Sequence, residues 1–102
     1  MIGDIYITSK QRAYLRSLAN TLTPIFQVGK NGISDNLIKQ IDDALEAREI
    51  IKLNVLETSP DEVSFIANSL ADSTKSELVQ IVGNKITLFR QKKKNSKINL
   101  PK

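Results

Sequence analysis

Two glycines on either side of a lysine and an asparagine form the segment whose residue types and spacing best suit a chemical task. The segment is Gly29-Lys30-Asn31-Gly32, called the GxxG loop below. Without side-chain carbons, the backbone can come close to a phosphate group, and a following helix would offer unpaired N–H groups at the positive end of its dipole. Lys30 adds a mobile positive charge. The segment therefore indicates a phosphate-binding loop.

The same glycine spacing has a plainer interpretation. A strand that turns into a helix can use glycine for backbone geometry alone, and such a turn binds nothing. The spacing excludes a Walker loop, which needs four residues between its glycines and then Lys and Ser or Thr. It matches the loop with which KH domains clamp a nucleic-acid backbone. Phosphate capture and a purely structural turn both remain open on these residues.

The apolar pattern places the GxxG loop between a strand and a helix. Thr8 and Gln11 form a capping-box pair ahead of apolar residues at helical spacing, and Ser34 can cap the helix that follows the loop. Gly83-Asn84 suits a two-residue turn between strands. The predicted elements are a helix at 9–21, a strand at 25–28, a helix from 34 to about 48, a strand at 51–55, a helix capped by Ser59 with Pro60 at its first position, and strands at 78–82 and 86–89.

This order predicts an α/β fold, as a single compact αβαβαββ domain. We expect a four-stranded mixed sheet with three helices, right-handed crossovers between the first three strands, and an antiparallel closing hairpin. The folded domain should cover residues 1–90. Residues 91–102 are rich in lysine and poor in apolar residues, so the sequence predicts a disordered basic tail there.

The composition excludes most catalytic and metal chemistry. The chain has no cysteine and no histidine, which removes disulfides, thiolate zinc sites, the commonest general base and the commonest metal ligand. We therefore expect no enzyme activity, no cofactor and no bound metal. The sequence has no run of about 18 apolar residues and no apolar leader, which predicts a cytoplasmic protein without a membrane partner.

The net charge of +4 is unevenly distributed along the sequence. Residues 1–30 carry +3, residues 31–77 carry −6 and residues 78–102 carry +7. Such asymmetry suits a surface that meets a polyanion while an acidic side faces away. For the basic residues of the first helix, an ordinary solvated face is the alternative. The residues predicted to bind RNA with the loop are Lys10, Arg12, Arg16, Arg90, Lys92, Lys93 and Lys94.

Two further groups favour ordinary structural roles. Asp42, Asp43 and Glu46 lie outward on the second helix. Lys39 precedes the two aspartates by about one turn, so an ion-paired, solvated face is favoured over a magnesium site. Phe65 falls opposite the apolar stripe of the third helix, where acidic neighbours would repel RNA, and a stray or locally packed aromatic is the favoured interpretation.

Several segments between residues 8 and 90 share the pattern of a known family. They are Lys10-Gln11, Leu15-Arg16, Leu18-Ala19, Pro24, residues 27–32, residues 53–56, and Gly83 before residues 86–90. Together they resemble the CRM domain, named for chloroplast RNA splicing and ribosome maturation, in its bacterial stand-alone, YhbY-like form. The resemblance implies a fold similar to the C-terminal domain of translation initiation factor three. It also implies RNA binding through the GxxG loop and adjoining basic surface, and association with precursors of the large ribosomal subunit.

Two functional hypotheses follow. The first is a monomeric RNA-binding protein that associates with ribosomal RNA in precursor large subunits and takes no small-molecule substrate. The second is a protein-interaction adaptor that binds a basic ribosomal protein through the acidic second and third helices. An enzyme is disfavoured because the remaining reactive residue types form no convincing cluster in the sequence.

Overall fold

Three helices and four strands follow each other in the predicted order in the computed structural model, which describes residues 7–92, 96, 98, 100 and 101. The elements are α1 (Ser9–Ala19), β1 (Phe26–Val28), α2 (Asp35–Arg48), β2 (Ile50–Val55), α3 (Val63–Thr74), β3 (Glu77–Val82) and β4 (Lys85–Phe89). This order confirms the predicted αβαβαββ domain with a four-stranded mixed sheet.

Side chains fix the starts of α1 and α2 as the sequence predicts. The Gln11 N–H donates to Thr8 Oγ1 at 3.1 Å, and the Thr8 N–H donates to Gln11 Oε1 at 3.0 Å. At α2, the Leu37 N–H donates to Ser34 Oγ at 3.1 Å. Each cap satisfies backbone donors that the first helical turn leaves unpaired, which stabilises a helix by about 1 kcal/mol.

The start of α3 differs from the prediction. The helix begins at Val63 with Glu62 at the N-cap, where no side chain bonds the backbone. Ser59, the predicted cap, instead accepts a hydrogen bond from the Asp61 N–H at 3.2 Å and closes a turn ahead of the helix. A serine can bond the backbone two residues on as well as cap a helix, and here the turn wins.

The sheet has the strand order β1-β2-β4-β3. β1 is parallel to β2, and β4 is antiparallel to both β2 and β3. Since β4 inserts between them, β3 runs in the direction of β2 without pairing with it. The hairpin turn before β4 has a positive φ of 61° at Gly83, the first of its two central residues, as a type II′ turn requires.

Apolar side chains form one core on each face of the sheet. Alternation along β2 sends Ile51, Leu53 and Val55 to one face and Ile50 to the other. α2 and α3 cover the first face, and α1 covers part of the second. The core under α2 and α3 includes Ile41, Leu45, Ile66, Leu70, Ile86 and Leu88. The core under α1 consists of Leu15, Ile50, Val79, Phe89 and Ile98.

The segment after β4, where the sequence predicts a disordered tail, is packed against the domain in its described part. Ile98 is 9% exposed and belongs to the core under α1, against which Leu100 also packs. Gln11 Nε2 donates to the Pro101 carbonyl at 3.0 Å. A few apolar residues among lysines could not fold alone, but they complete a core that α1 and the sheet leave unfinished.

Glu49 anchors the same segment from the end of α2. It is the C-cap of that helix, with a φ of 69°, and only 1% of its surface is exposed. Its Oε2 accepts hydrogen bonds from the Lys92 N–H at 2.9 Å and from the Ser96 hydroxyl at 2.6 Å. A buried carboxylate needs such donors because leaving water is costly for a charge.

Candidate nucleic-acid interface

The GxxG loop is a tight turn between the end of β1 and the Ser34 cap of α2. The Gly32 N–H donates to the Gly29 carbonyl at 2.9 Å, so Lys30 and Asn31 form the two corners, and both are exposed. The hydrogen bonds of the described chain include none from the N–H of either corner residue. The turn therefore has two backbone donors and an exposed ammonium group available just ahead of the positive end of a helix.

The structure requires glycine at one of the two glycine positions of the loop but not at the other. Gly32 has a φ of 61°, and a Cβ there would lie 3.2 Å from Pro60 Cγ, so a side chain would be strained. At Gly29 a Cβ would lie 3.5 Å from Thr58 Oγ1, which is ordinary contact. Folding thus requires glycine only at the second position. At the first position, neither a positive φ nor a close contact requires glycine.

Acidic residues flank the loop on one side. Asp61 Oδ2 lies 3.7 Å from where a Cβ on Gly32 would stand, and Asp61 and Glu62 are both exposed. Within the described chain, no carboxylate lies within ion-pair distance of Lys30. A phosphate would therefore approach the loop from the side away from α3.

Arg12 was predicted to extend the basic surface, but its guanidinium is engaged by β3. Its Nη2 lies 2.6 Å from Glu77 Oε2, and its Nη1 donates to the carbonyls of Leu78 at 2.7 Å and Val79 at 3.2 Å. Val79 lies at an irregularity where β3 shifts register against β4. Arg12 thus holds the edge of the sheet together.

Arg90 is engaged in the same way on the other face. Its Nη1 contacts Asp42 Oδ1 at 2.6 Å and donates to the Thr74 carbonyl at 2.8 Å. Its Nη2 donates to the Asp42 carbonyl at 2.9 Å and lies 3.5 Å from Glu46 Oε1. The side chain ties the end of β4 to α2 and α3, and few of its donors are left for a ligand.

The remaining basic residues of the prediction differ in how far their side chains are exposed to a ligand. Lys10 and Arg16 are exposed on α1. Lys92 is half-buried, and its backbone N–H is bound to Glu49. Lys93 and Lys94 lie outside the described residues.

The GxxG loop and the β3 partner of Arg12 lie at diagonally opposite corners of the sheet. Val28, at the end of β1, pairs with Val55 at the end of β2. Glu77, at the start of β3, pairs with Phe89 at the end of β4, and this end of the sheet also holds the start of β2. With strands about 4.8 Å apart and a rise of about 3.3 Å per residue, the corners are about 20 Å apart. Arg12, which is bound at this far corner, therefore does not border the loop.

The strand pairing brings other polar side chains level with the loop, and the sequence alone does not indicate them. Gln27 of β1 pairs with Asn54 of β2, which pairs with Lys85 of β4. Asn84 fixes this end of the sheet, because its Nδ2 donates to the Val55 carbonyl at 3.1 Å and its own carbonyl accepts the Val55 N–H at 2.8 Å. The sequence predicts the hairpin between β3 and β4, but it does not show that β4 also pairs with β2, and this pairing aligns these side chains.

The acidic face of α2 carries ion pairs. Lys39 Nζ lies 3.6 Å from Asp43 Oδ2, in addition to the contacts of Arg90 with its neighbours. Among the residues that the structure describes, no cluster of acidic side chains could hold a metal ion. No helix in the described chain has the length and apolarity needed to cross a membrane.

Comparison with known proteins gives a consistent set of relatives. The Bacillus subtilis protein named "Probable RNA-binding protein YqeI" is 50% identical over 95 residues, which cover 93% of this chain and 99% of that one. A Haemophilus influenzae protein named "RNA-binding protein" is 31% identical over 96 residues, covering 94% and 96% of the two chains. The solution structure of a Staphylococcus aureus protein matches with a TM-score of 0.79 and 51% identity, covering 94% of this chain and 100% of that one.

The family follows from a match along nearly the whole described chain. The Staphylococcus aureus structure agrees with the fold and supports the strand order on which the position of the loop depends. The sequence profile of the CRS1/YhbY (CRM) domain matches residues 7–90, from the residue before the α1 cap to the residue after β4. The chain therefore belongs to the CRS1/YhbY (CRM) domain family.

Proposed function

We propose that this protein binds ribosomal RNA in precursors of the large ribosomal subunit and holds the RNA phosphate backbone at the GxxG loop. The observation that carries the proposal is the exposed turn, where Lys30 and two backbone N–H groups have no partner in the described chain. Relatives at 50% and 31% identity are named as RNA-binding proteins, which supports RNA as the polyanion.

In this proposal each part of the loop has one task. The N–H groups of Lys30 and Asn31 donate to phosphate oxygens, and the Lys30 ammonium pairs with the same or the next phosphate. Gly29 lets the RNA approach the backbone, while Gly32 allows the turn itself. These contacts position a strand without reading its sequence.

The other exposed basic residues act at longer range. Lys10 and Arg16 on α1, with the lysines after β4, raise the local potential and attract RNA before the loop engages it. Arg12 and Arg90 are bound to protein groups and contribute charge but few donors. Binding needs no chemical step, so the protein acts as a binder and not as an enzyme.

The ribosomal part of the proposal rests on the family. The CRM resemblance implies a role on precursor large subunits for a single-domain bacterial form, acting as a monomer in the cytoplasm. Matches of 99% and 96% of the length of the two bacterial relatives favour this single-domain role over a splicing role.

A second candidate, the protein-interaction adaptor, is favoured by one observation. Phe65 is 56% exposed on α3 and is close in sequence to the exposed Asp61 and Glu62. A basic partner protein could therefore contact an apolar side chain with acidic neighbours. The acidic face of α2 offers less, because Asp42 and Glu46 already face Arg90. Partners recovered on the immobilised protein after nuclease treatment would favour the adaptor, and partners lost with the RNA would favour RNA binding.

The decisive experiment is a titration of labelled, structured ribosomal RNA with the full chain at several salt concentrations. Replacing Lys30 with Ala removes one phosphate contact, so affinity should fall and the slope of log K against log salt should flatten by about one unit. Lys39→Ala is the matched control, because it removes the same charge from an exposed position on α2. If the two variants bind alike, the loop is not the contact and the proposal is wrong.

A further inference from the structure

The sheet face that carries α1 has one row of side chains that the helix does not cover. Paired residues on adjacent strands point to the same face, so the pairing aligns a row across all four strands. The row consists of Gln27, Asn54, Lys85 and Val82, and is called the open row below. It lies one residue before the end of β1 and is therefore next to the GxxG loop.

The exposure of these residues shows that α1 packs elsewhere. Its core lies at the other end of the same face, against Ile50 and Phe89. In the open row, Gln27 is exposed, Val82 is 58% exposed, and the two residues between them are half-buried. The row is thus a shallow surface formed by residues of the sheet strands and not of loops.

The row contains hydrogen-bonding groups that the protein itself does not use. Asn54 Oδ1 is buried and has no hydrogen-bond partner in the described chain. Thr87 lies two residues along β4 from Lys85, on the same face of the sheet. Its Oγ1 also has no hydrogen-bond partner in the described chain, and the residue is 1% exposed. A buried polar atom without a partner is costly and uncommon, and Asn54 can bring its carboxamide to a ligand by rotating its side chain, since the residue as a whole is only half-buried.

Charge directs an RNA strand from the loop towards this row. Asp61 lies on the α3 side of the loop and repels phosphates there. On the other side, the row contains Lys85 and no acidic residue. A strand held at Lys30 therefore has a favourable path across the open row and an unfavourable one across α3.

We infer that the open row reads the bases of the RNA strand whose phosphates the GxxG loop holds. The inference rests on the proposed function and adds sequence preference to it. The carboxamides of Gln27 and Asn54 each carry donors and an acceptor, which can bond the edges of unpaired bases. Lys85 pairs with a neighbouring phosphate, and Val82 gives apolar contact at the far end. The ligand is thus a single-stranded or looped RNA segment with preferred bases.

The test uses selection from a random-sequence RNA pool, comparing the full chain with Gln27→Ala/Asn54→Ala. The wild-type protein should enrich particular bases, and each lost carboxamide contact should reduce discrimination between bases by roughly fivefold to a hundredfold. The average affinity for the unselected pool and its salt dependence should change by less than about threefold, because the phosphate contacts remain. Gln40→Ala, an exposed carboxamide on α2, is the matched control.

Each outcome decides the inference. Loss of enrichment in the double variant, with pool affinity retained and the control unchanged, supports base reading by the row. Enrichment by the double variant equal to that of the wild type overturns the inference, and so does a wild-type protein that enriches no sequence. In both cases the proposed function still stands if Lys30→Ala lowers the affinity for the pool. If Lys30→Ala binds the pool as well as the wild type, the proposed function itself fails. Gln27→Ala alone changes only an exposed side chain and keeps the test valid if the double variant is unstable.

Discussion

The two ends of the sheet use basic residues in opposite ways. At the end that holds the starts of β2 and β3, called the anchored end, Arg12 and Arg90 bind carbonyls and carboxylates of the protein. At the end that holds the GxxG loop, called the loop end, Lys30 has no acidic partner in the described chain. A guanidinium fork suits several fixed acceptors, whereas an exposed ammonium stays available. Charge counted along a sequence therefore does not locate a binding surface.

Removal of residues 91–102 should have the largest effect and should act on the anchored end. It takes Ile98 and Leu100 from the core under α1 and two donors from the buried Glu49 carboxylate. We expect the free energy of unfolding to fall by at least about 3 kcal/mol, as measured by urea denaturation. Replacing Lys92, Lys93 and Lys94 with Gln is the control and should change stability by less than about 0.5 kcal/mol. A truncated protein as stable as the full chain would contradict this assignment.

Arg12→Ala should have the next largest effect, and mainly on stability. It leaves the carbonyls of Leu78 and Val79 and the Glu77 carboxylate without their shared donor, so we expect a loss of about 2 kcal/mol in the same assay. Arg16→Ala, exposed on the same helix, should cost less than about 0.5 kcal/mol. If Arg12→Ala weakened RNA binding by folded protein more than Lys30→Ala did, the division between the two ends would be wrong.

The two glycines of the loop should separate stability from binding. Gly32→Ala forces a side chain into a positive φ beside Pro60 and should cost about 1–2 kcal/mol of stability. Gly29→Ala should leave thermal unfolding nearly unchanged, yet weaken RNA binding by roughly fivefold, because the added methyl group blocks the approach of a phosphate. Equal RNA affinity of Gly29→Ala and the wild type would favour the purely structural interpretation of the loop.

Asp61→Asn should give the smallest effect, and in the direction of tighter binding. It removes a negative charge beside the loop, so RNA affinity at low salt should rise about twofold and the gain should vanish at high salt. Asp72→Asn, exposed near the other end of α3, serves as the control and should change nothing. A decrease on Asp61→Asn would mean that the acidic side takes part in binding.

Most features that depend on neighbours in sequence were predicted correctly. The Thr8 and Ser34 caps and the Gly83 turn involve residues a few positions apart, so their residue types sufficed. The start of α3 was missed because Ser59 has two local partners to choose from. The GxxG loop was found for the same reason as the caps, since its turn closes between Gly29 and Gly32.

Features that depend on distant residues were not predictable from one sequence. Arg12 meets Glu77 across 65 positions, and Arg90 meets Asp42 across 48, so nothing near either arginine indicated a partner. The packing of Ile98 depends equally on a core assembled from α1 and the sheet. The open row exists only because β4 inserts beside β2, and the strand order is a property of the whole fold.

The contact of Arg12 with β3 also bears on how copies of the molecule behave towards each other. β3 is an edge strand, and the exposed Ile81 and Val82 make it attractive to a strand from another copy. The guanidinium occupies the carbonyls of Leu78 and Val79, so a strand from another copy could not bond to them. We therefore expect the side chain that stabilises the fold also to block this part of the edge against pairing with a strand of another copy.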